Sequence, residues 1–373
     1  MAAIRGEPFD KYPFINPYPD WSMMPHWPKL AGVTFLHAAY GSDEQRLRCC
    51  GAFHDVLGLD WMPVPWGPSG QDRRYRIETE GGVPVLVDLA SGKQTRFEEF
   101  PKDLPPSRPQ FTSAKQVESL PPPPTAEEML AGSGFGMARE AVKAFGDRVF
   151  LFWGIEGTFS AGLRALGFQG LYEAVLMNPQ LIHAISRRRE EEIIQCARAC
   201  AELGVHGLRV NEYPAGAELL SDKHFLELIF PYMQRTFRAI RDAGVVAILE
   251  YLGSVEPRLK HIARLEVNCL QTESSLKGYR NDVGEYRKIL GEEVCIFGNS
   301  LIRRVIELGD EEVWRRDAME QARGVGRQRR YAICAGSPTT WATGPQRLHR
   351  FGEFTRKVLA EIVPPLGAQE NNR

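Results

Sequence analysis

Three glutamates each close an apolar run that reads as a short strand. GLRVN precedes Glu212, VVAIL precedes Glu250, and EVNCLQT precedes Glu273. A carboxylate in that position suits a hard cation or general acid–base work with a raised pKa. The first two runs are separated by a segment that reads as one helix, capped by Ser221 and stopped by Gly244. A strand–helix–strand unit forces a parallel pair, with both strand C-termini at one end of the sheet. In a barrel the three ends would converge within about 10 Å, since neighbouring strands lie ~4.8 Å apart. At ~4 Å and an effective dielectric near 20, each like-charged pair costs about 4 kcal/mol. A bound cation, a shared proton or an inserted Arg must therefore offset the cluster. Neutralising Glu250 is then expected to remove activity and leave the fold intact or firmer. The plainer alternative is that each Glu is a rim residue paired with a basic neighbour.

Other candidates surround these three. Cys269, Gln271 and Glu273 alternate onto one strand face, which would place a thiol and an amide below Glu273. Cys269 could equally be a small buried hydrophobe. His37 closes an expected first strand, whereas His206 precedes its strand and falls at the far end. Trp153, Phe159, Tyr213 and Trp341 fall at strand ends or in the loops after them, where they would line an apolar or aromatic substrate pocket or pack the rim. Asn299, after IFG, could hydrogen-bond a substrate. The Cys49–Cys50 pair has no metal-ligand spacing, and the Arg187–Arg188–Arg189 run reads as a solvated helix face.

The elements that must position these residues follow from the rest of the chain. Its 373 residues include 43% hydrophobic and 25% charged, as in ordinary globular proteins. The 46 Lys and Arg nearly cancel the 47 Asp and Glu, so no net field points to nucleic acid or an anionic membrane. No apolar run is long enough to cross a bilayer, and the polar N-terminus is not a signal peptide. Seven scattered cysteines suit a reducing cytoplasm.

The first 30 residues, rich in Pro and aromatics, read as an extended arm packed on the domain. Residues 32–37 (GVTFLH) read as a first strand, a helix spans about 43–57, and DWMPVPW reads as a second strand. Residues 74–98 alternate as a hairpin about Gly81–Gly82, and 101–125 as an irregular proline-rich connector. From 126 onward strands and helices alternate: a helix at 126–145, a strand from 148, and a long helix opened by Asn178–Pro179. After the strands ending in Glu212, Glu250 and Glu273 come strands at 293–299 and 330–336, and a last helix from Pro345 to about 362. Eight strands in this order predict an α/β fold, a (β/α)8 TIM barrel with an N-terminal arm and a β-hairpin excursion. The expected divisions are 1–125 for the arm, first segments and hairpin, 126–365 for the main barrel, and 366–373 for a disordered tail.

Several blocks carry a resemblance to a known family. WGIEGTFSAGLRALGFQGLYEAVLMNPQLIHAI, LLSDKHFLELIFPYMQRTFRAIRDAGVVAILEYLGS, VCIFGNS and AICAGSPTTWATGPQRL together resemble the uroporphyrinogen decarboxylase superfamily. That superfamily also contains cobalamin-linked methyltransferases. The likeness spans about 130–362 and implies the same barrel. It is the likeness of a divergent member. The region from Trp21 to Ala39 lacks the Arg pair that grips porphyrin carboxylates. Where the zinc methyltransferases have His-x-Cys, this chain has Glu250-Tyr251-Leu252, and Ser337 stands for their further Cys. A zinc–thiolate site of the family type is therefore not expected, since carboxylate and hydroxyl oxygens prefer harder ions.

The leading expectation is an enzyme that transfers a methyl group from a small substrate to cobalamin carried by a corrinoid partner protein. Glu212, Glu250 and Glu273 would act as ligands of a divalent metal ion or as the proton donor. The second is a decarboxylase of a small aromatic or heterocyclic acid, which needs a cation near the carboxylate and an acid to protonate the carbanion. The third is a non-catalytic ligand-binding barrel.

Overall fold

The computed structural model describes residues 1–19, 24–67, 69–70, 74–96, 109–276, 278–336 and 339–367. Ser337 and most of the expected tail lie outside these. Eleven strands occur among them. Eight form one sheet: β1 (Phe14–Ile15), β2 (Trp61–Pro63), β6 (Phe150–Glu156), β7 (Gly207–Asn211), β8 (Val246–Tyr251), β9 (Cys269–Thr272), β10 (Cys295–Phe297) and β11 (Tyr331–Cys334). The order is β1-β11-β10-β9-β8-β7-β6-β2, and every pairing is parallel. The two edges meet at Asp60, whose N–H donates to Phe14 O at 2.9 Å while its carboxylate accepts from Phe14 N at 2.8 Å. The sheet thereby curls into a (β/α)8 barrel, as expected from the alternation.

Period-two alternation sorts each strand between two cores. Trp61, Phe152, Ile248, Cys269 and Phe297 fill the barrel interior. Leu151, Leu208, Val210, Leu249 and Leu270 face the surrounding helices. The small antiparallel sheet β3 (Tyr75–Glu80), β4 (Val83–Asp88) and β5 (Gln94–Arg96) is the expected hairpin with one further strand.

The N-terminal segments differ from the sequence reading. The stretch 32–37 is not a strand. Gly32, at φ 67°, ends the Trp27–Ala31 helix, and Thr34 opens the Phe35–Tyr40 helix. The first barrel strand lies earlier, inside the proline-rich arm, where prolines exclude a helix but tolerate two residues of edge strand. The proline-rich connector holds a short helix, Ala114–Glu118, with a Ser113–Gln116 capping box. The single helix expected after Ser221 is two, Asp222–Leu228 and Phe230–Asp242. They break at Ile229, two residues before Pro231. A helix that the alternation did not reveal, Ser160–Met177, follows β6. A π-helix, Ile302–Glu307, follows β10. At the C-terminal end Gly367 N–H donates to Phe9 O at 3.0 Å.

Candidate active site at the barrel mouth

The three glutamates do not meet. Glu212 follows the last residue of β7 and turns outward, away from the barrel interior. It is fully buried. Its Oε1 accepts from Thr158 Oγ1 at 3.0 Å and Phe159 N at 3.2 Å, and its Oε2 from Ser160 N at 3.0 Å and Ser160 Oγ at 3.2 Å. These donors belong to the turn after β6 and the first residue of the Ser160–Met177 helix, where a carboxylate suits the helix dipole. Gly157 makes the fit possible, since a Cβ there would fall 2.2 Å from the Glu212 carboxyl. Burial pushes the Glu212 carboxyl above its ordinary value, and the four donors pull it back. With both oxygens taken, Glu212 has no lone pair aimed at a metal. It is a structural cap, not a catalytic residue.

Glu250 points the other way. One residue earlier in register than the end of β8, it shares the inward face with Ile248 and is also fully buried. Its Oε2 accepts from Asn211 Nδ2 at 2.7 Å, and its Oε1 accepts from Gln271 Nε2 at 3.0 Å. Tyr18 adds a hydrogen bond from its hydroxyl. Arg209, inward on β7, places Nε 3.6 Å from Glu250 Oε2. Of the three ways to offset a buried carboxylate, the fold uses the inserted Arg. The Arg209 guanidinium lies over the rings of Tyr18 at 4.7 Å and Phe152 at 4.9 Å, and its Nη1 donates to Pro17 O at 2.6 Å.

The N-terminal arm completes this cluster. Asn211 Nδ2 reaches the Tyr18 oxygen at 2.9 Å, and Trp61 Nε1 donates to Asn16 O at 3.0 Å. Asn16 Nδ2 donates to Thr339 Oγ1 at 3.3 Å, which ties the arm to the loop after β11. Burial, and then the Glu250 charge, push the Tyr18 phenol well above its usual range, so its hydroxyl keeps its proton. Arg209, Asn211 and Tyr18 are the residues that the sequence reading missed. Arg209 carries a signal, a charge two residues from Gly207 and Asn211 on the same face of an otherwise apolar strand. Tyr18 carries none.

Glu273 lies beyond β9. Its Oε1 accepts from Gly253 N at 2.7 Å and from the Tyr279 hydroxyl. It therefore holds the loops after β8 and β9 together, beside the Glu250 cluster but with its own partners. Among the described residues, no group of three or more His, Cys, Asp or Glu is placed to hold a metal ion. The donor set expected for a divalent metal thus does not fit, chiefly because Glu212 faces outward.

The aromatic and amide candidates divide in the same way. Gln271 is in the cluster. Trp153 faces outward from β6 and stacks on Phe135, with ring centroids 4.3 Å apart and planes at 12°. Phe159 packs in the outer core against Tyr172. Asn299 is spent on the protein, donating to Asn281 O at 2.9 Å and accepting from Gln321 Nε2 at 3.1 Å. Tyr213 and Trp341 are 39% and 41% exposed, on the loops after β7 and β11. His37 sits on the Phe35–Tyr40 helix bonded to Thr34. His206 accepts from Leu151 N before β7, as its position implied. Cys269 is a buried thiol against Cys295 in the barrel core, and burial raises its pKa.

The family model for uroporphyrinogen decarboxylase (URO-D) matches residues 90–358. In three dimensions the chain is similar to a methyltransferase from Methanosarcina mazei, with a TM-score of 0.68 over 96% of this chain and 97% of that one. At 16% identity that likeness concerns the fold alone. No curated protein matches the chain in sequence. No helix among the described residues is long and apolar enough to cross a membrane. Because the family model covers well over half its length, the chain belongs to the uroporphyrinogen decarboxylase family.

Proposed function

We propose that this protein is an enzyme that decarboxylates a small carboxylic acid at the inner face of the barrel mouth, with Arg209 and Glu250 as its central pair. The observation that carries this reading is the guanidinium of Arg209, buried on stacked rings and set 3.6 Å from Glu250. Arginine is the side chain best shaped to hold a carboxylate. The protonated Glu250 then has the role of acid. The carbon–carboxylate bond breaks, carbon dioxide leaves, and the electron pair stays on the substrate carbon. The Glu250 proton bonds to that carbon, and water later restores it. An aromatic or heterocyclic frame suits the reaction because it delocalises the pair. Asn211, Gln271 and Tyr18 fix the orientation of Glu250 throughout.

The second reading is methyl transfer to the cobalamin of a corrinoid partner, supported by the overall likeness to a methyltransferase. There Glu250 would protonate the group that loses its methyl. No step in either reading runs through a divalent ion at Glu212, Glu250 and Glu273, whose donors do not converge. Purified protein is to be incubated with a panel of small aromatic and heterocyclic acids, and separately with methylated thiols, amines and ethers plus cob(I)alamin. Release of carbon dioxide that is lost in Glu250→Gln supports the first reading. Methylcobalamin formation without carbon dioxide replaces it with the second.

A further inference from the structure

The second half of the Ser160–Met177 helix is apolar on both sides. Gly167, at φ 73°, breaks the helix, and residues 168–177 continue as a separate segment. Leu171, Ala174 and Val175 turn inward and are buried. The outer face of a surface helix ordinarily carries charged or polar side chains. Here it carries Phe168, Tyr172 and Leu176 at i, i+4 and i+8, with Met177 beside them. Phe168 is 60% exposed, Leu176 69% and Met177 84%. The Phe168 and Tyr172 rings meet edge-on with centroids 4.9 Å apart, and the Tyr172 hydroxyl donates to Pro214 O at 2.8 Å. Through that bond the face continues into the loop after β7, where Tyr213 is 39% exposed.

The charges around this face are already engaged. Glu173 accepts from Gln169 Nε2 at 2.6 Å, Arg164 pairs with Glu156, and Glu218 Oε2 accepts from Ser254 N at 2.8 Å. At about 200 Å² for a fully exposed large side chain, the apolar face amounts to roughly 500 Å². That is near the top of the range for the largest patch on a soluble monomer, and such patches mark contacts with other molecules.

We infer that this face is the interface of a homodimer, in which residues 168–177 and Tyr213 meet the same surface of a second copy. A two-fold axis sets one patch against itself, so the patch must tolerate its own charges. The neutral ridge does so. Run antiparallel about Tyr172, it faces Phe168 of one copy with Leu176 of the other. Two such faces bury about 1,000 Å² of apolar surface before any polar rim is counted, the area that a specific interface has to clear. Nucleic acid, an anionic membrane or a charged peptide finds no open complementary charge here. Because Tyr213 N–H donates to Asn211 Oδ1 at 3.0 Å, the interface borders the loop that carries one partner of Glu250. The dimer does not depend on which reaction the mouth performs.

Sedimentation velocity of the full-length protein at micromolar concentration should give twice the mass of one chain. Phe168→Glu and Leu176→Glu each put a charge inside the interface and should weaken association by more than about tenfold. Circular dichroism should show both variants folded, since both side chains are exposed. Tyr213→Glu, on the loop, gives the same readout if a helix variant fails to fold. Leu308→Glu changes an apolar side chain that is 71% exposed elsewhere on the surface, and should leave the dimer intact. A wild-type protein that is monomeric at every concentration overturns the inference. So does a dimer that survives all three substitutions in the face, or one that Leu308→Glu dissolves as readily. Monomeric protein that floats with phosphatidylcholine vesicles, and no longer does so in Phe168→Glu, would assign the face to lipid and overturn it as well.

Discussion

Glu212 and Glu250 stand one strand apart, and the N–H of Glu212 donates to the carbonyl of Glu250 at 2.9 Å. Both side chains are wholly buried, yet they serve opposite ends. Glu212 turns outward and gathers four neutral donors from the turn that opens the Ser160–Met177 helix. Glu250 turns inward to two amides, a phenol and a guanidinium at the barrel mouth. A buried carboxylate saturated by backbone and hydroxyl donors is a fastening. One held beside a charge, at the inner face of the barrel, is a candidate for chemistry. Asp317 belongs on the outward side with a weaker hold: among the described residues one side chain donates to it, Ser300 through Oγ at 2.6 Å. Burial accordingly pushes its carboxyl up to about 6.

The largest expected effect is on catalysis. Glu250→Gln is expected to lower turnover by 10²–10⁴-fold, the usual worth of a positioned acid or base, measured as carbon dioxide release once a substrate is in hand. Relief of repulsion had implied a firmer fold in this variant. With Arg209 as the neighbour the sign reverses, because removing one partner strands the other charge. A lower melting temperature than wild type checks that sign. A fully active variant would dissolve the contrast with Glu212.

Next comes the fastening itself. Glu212→Ala strips partners from two buried backbone N–H groups and two hydroxyls, and should cost about 3 kcal/mol in denaturant unfolding. Binding at the mouth, per folded molecule, should be unchanged. Loss of binding without loss of stability would place Glu212 in the site after all.

The pH dependence of Asp317 sharpens the outward half. Its folded pKa lies above the unfolded value of 3.8, so its ionised form is the one that folding disfavours. Stability should fall as pH rises from about 4 to 6, by about 2 kcal/mol after allowance for partial exposure. Asp317→Asn should remove that slope and raise stability at pH 7, as followed by thermal unfolding at several pH values. The smallest effect is expected from Tyr18→Phe, which removes one of the donors to Glu250. A loss of about 1 kcal/mol in stability, with a several-fold fall in turnover and little change in KM, would mark Tyr18 as a positioning residue. An unchanged turnover would confine the arm to packing.

Much of this architecture was legible in the chain. The alternation after residue 126 announced the parallel barrel, because a crossover helix admits only one handed arrangement. The Ser221 cap, the Asn178–Pro179 start and the hairpin about Gly81–Gly82 are local, and local rules found them. The first strand was misplaced because 32–37 is divided between the end of one helix and the start of the next. Its replacement, Phe14–Ile15, is two residues long and exists through its pairing with β11. Two residues carry too little pattern to be read.

The sequence by itself determined that acidic side chains would stand at the ends of neighbouring parallel strands, and that Asn211 and Glu212 would part to opposite faces. Only the tertiary structure decided which face was inside. That choice rests on the register of β7 against β6 and β8, on the space left by the missing side chain of Gly157, and on the start of the Ser160–Met177 helix with donors to offer. It also brought Tyr18 to Glu250 across more than two hundred residues. The arm's place in the mouth depends on closing the barrel around β1, and closure is a property of all eight strands at once.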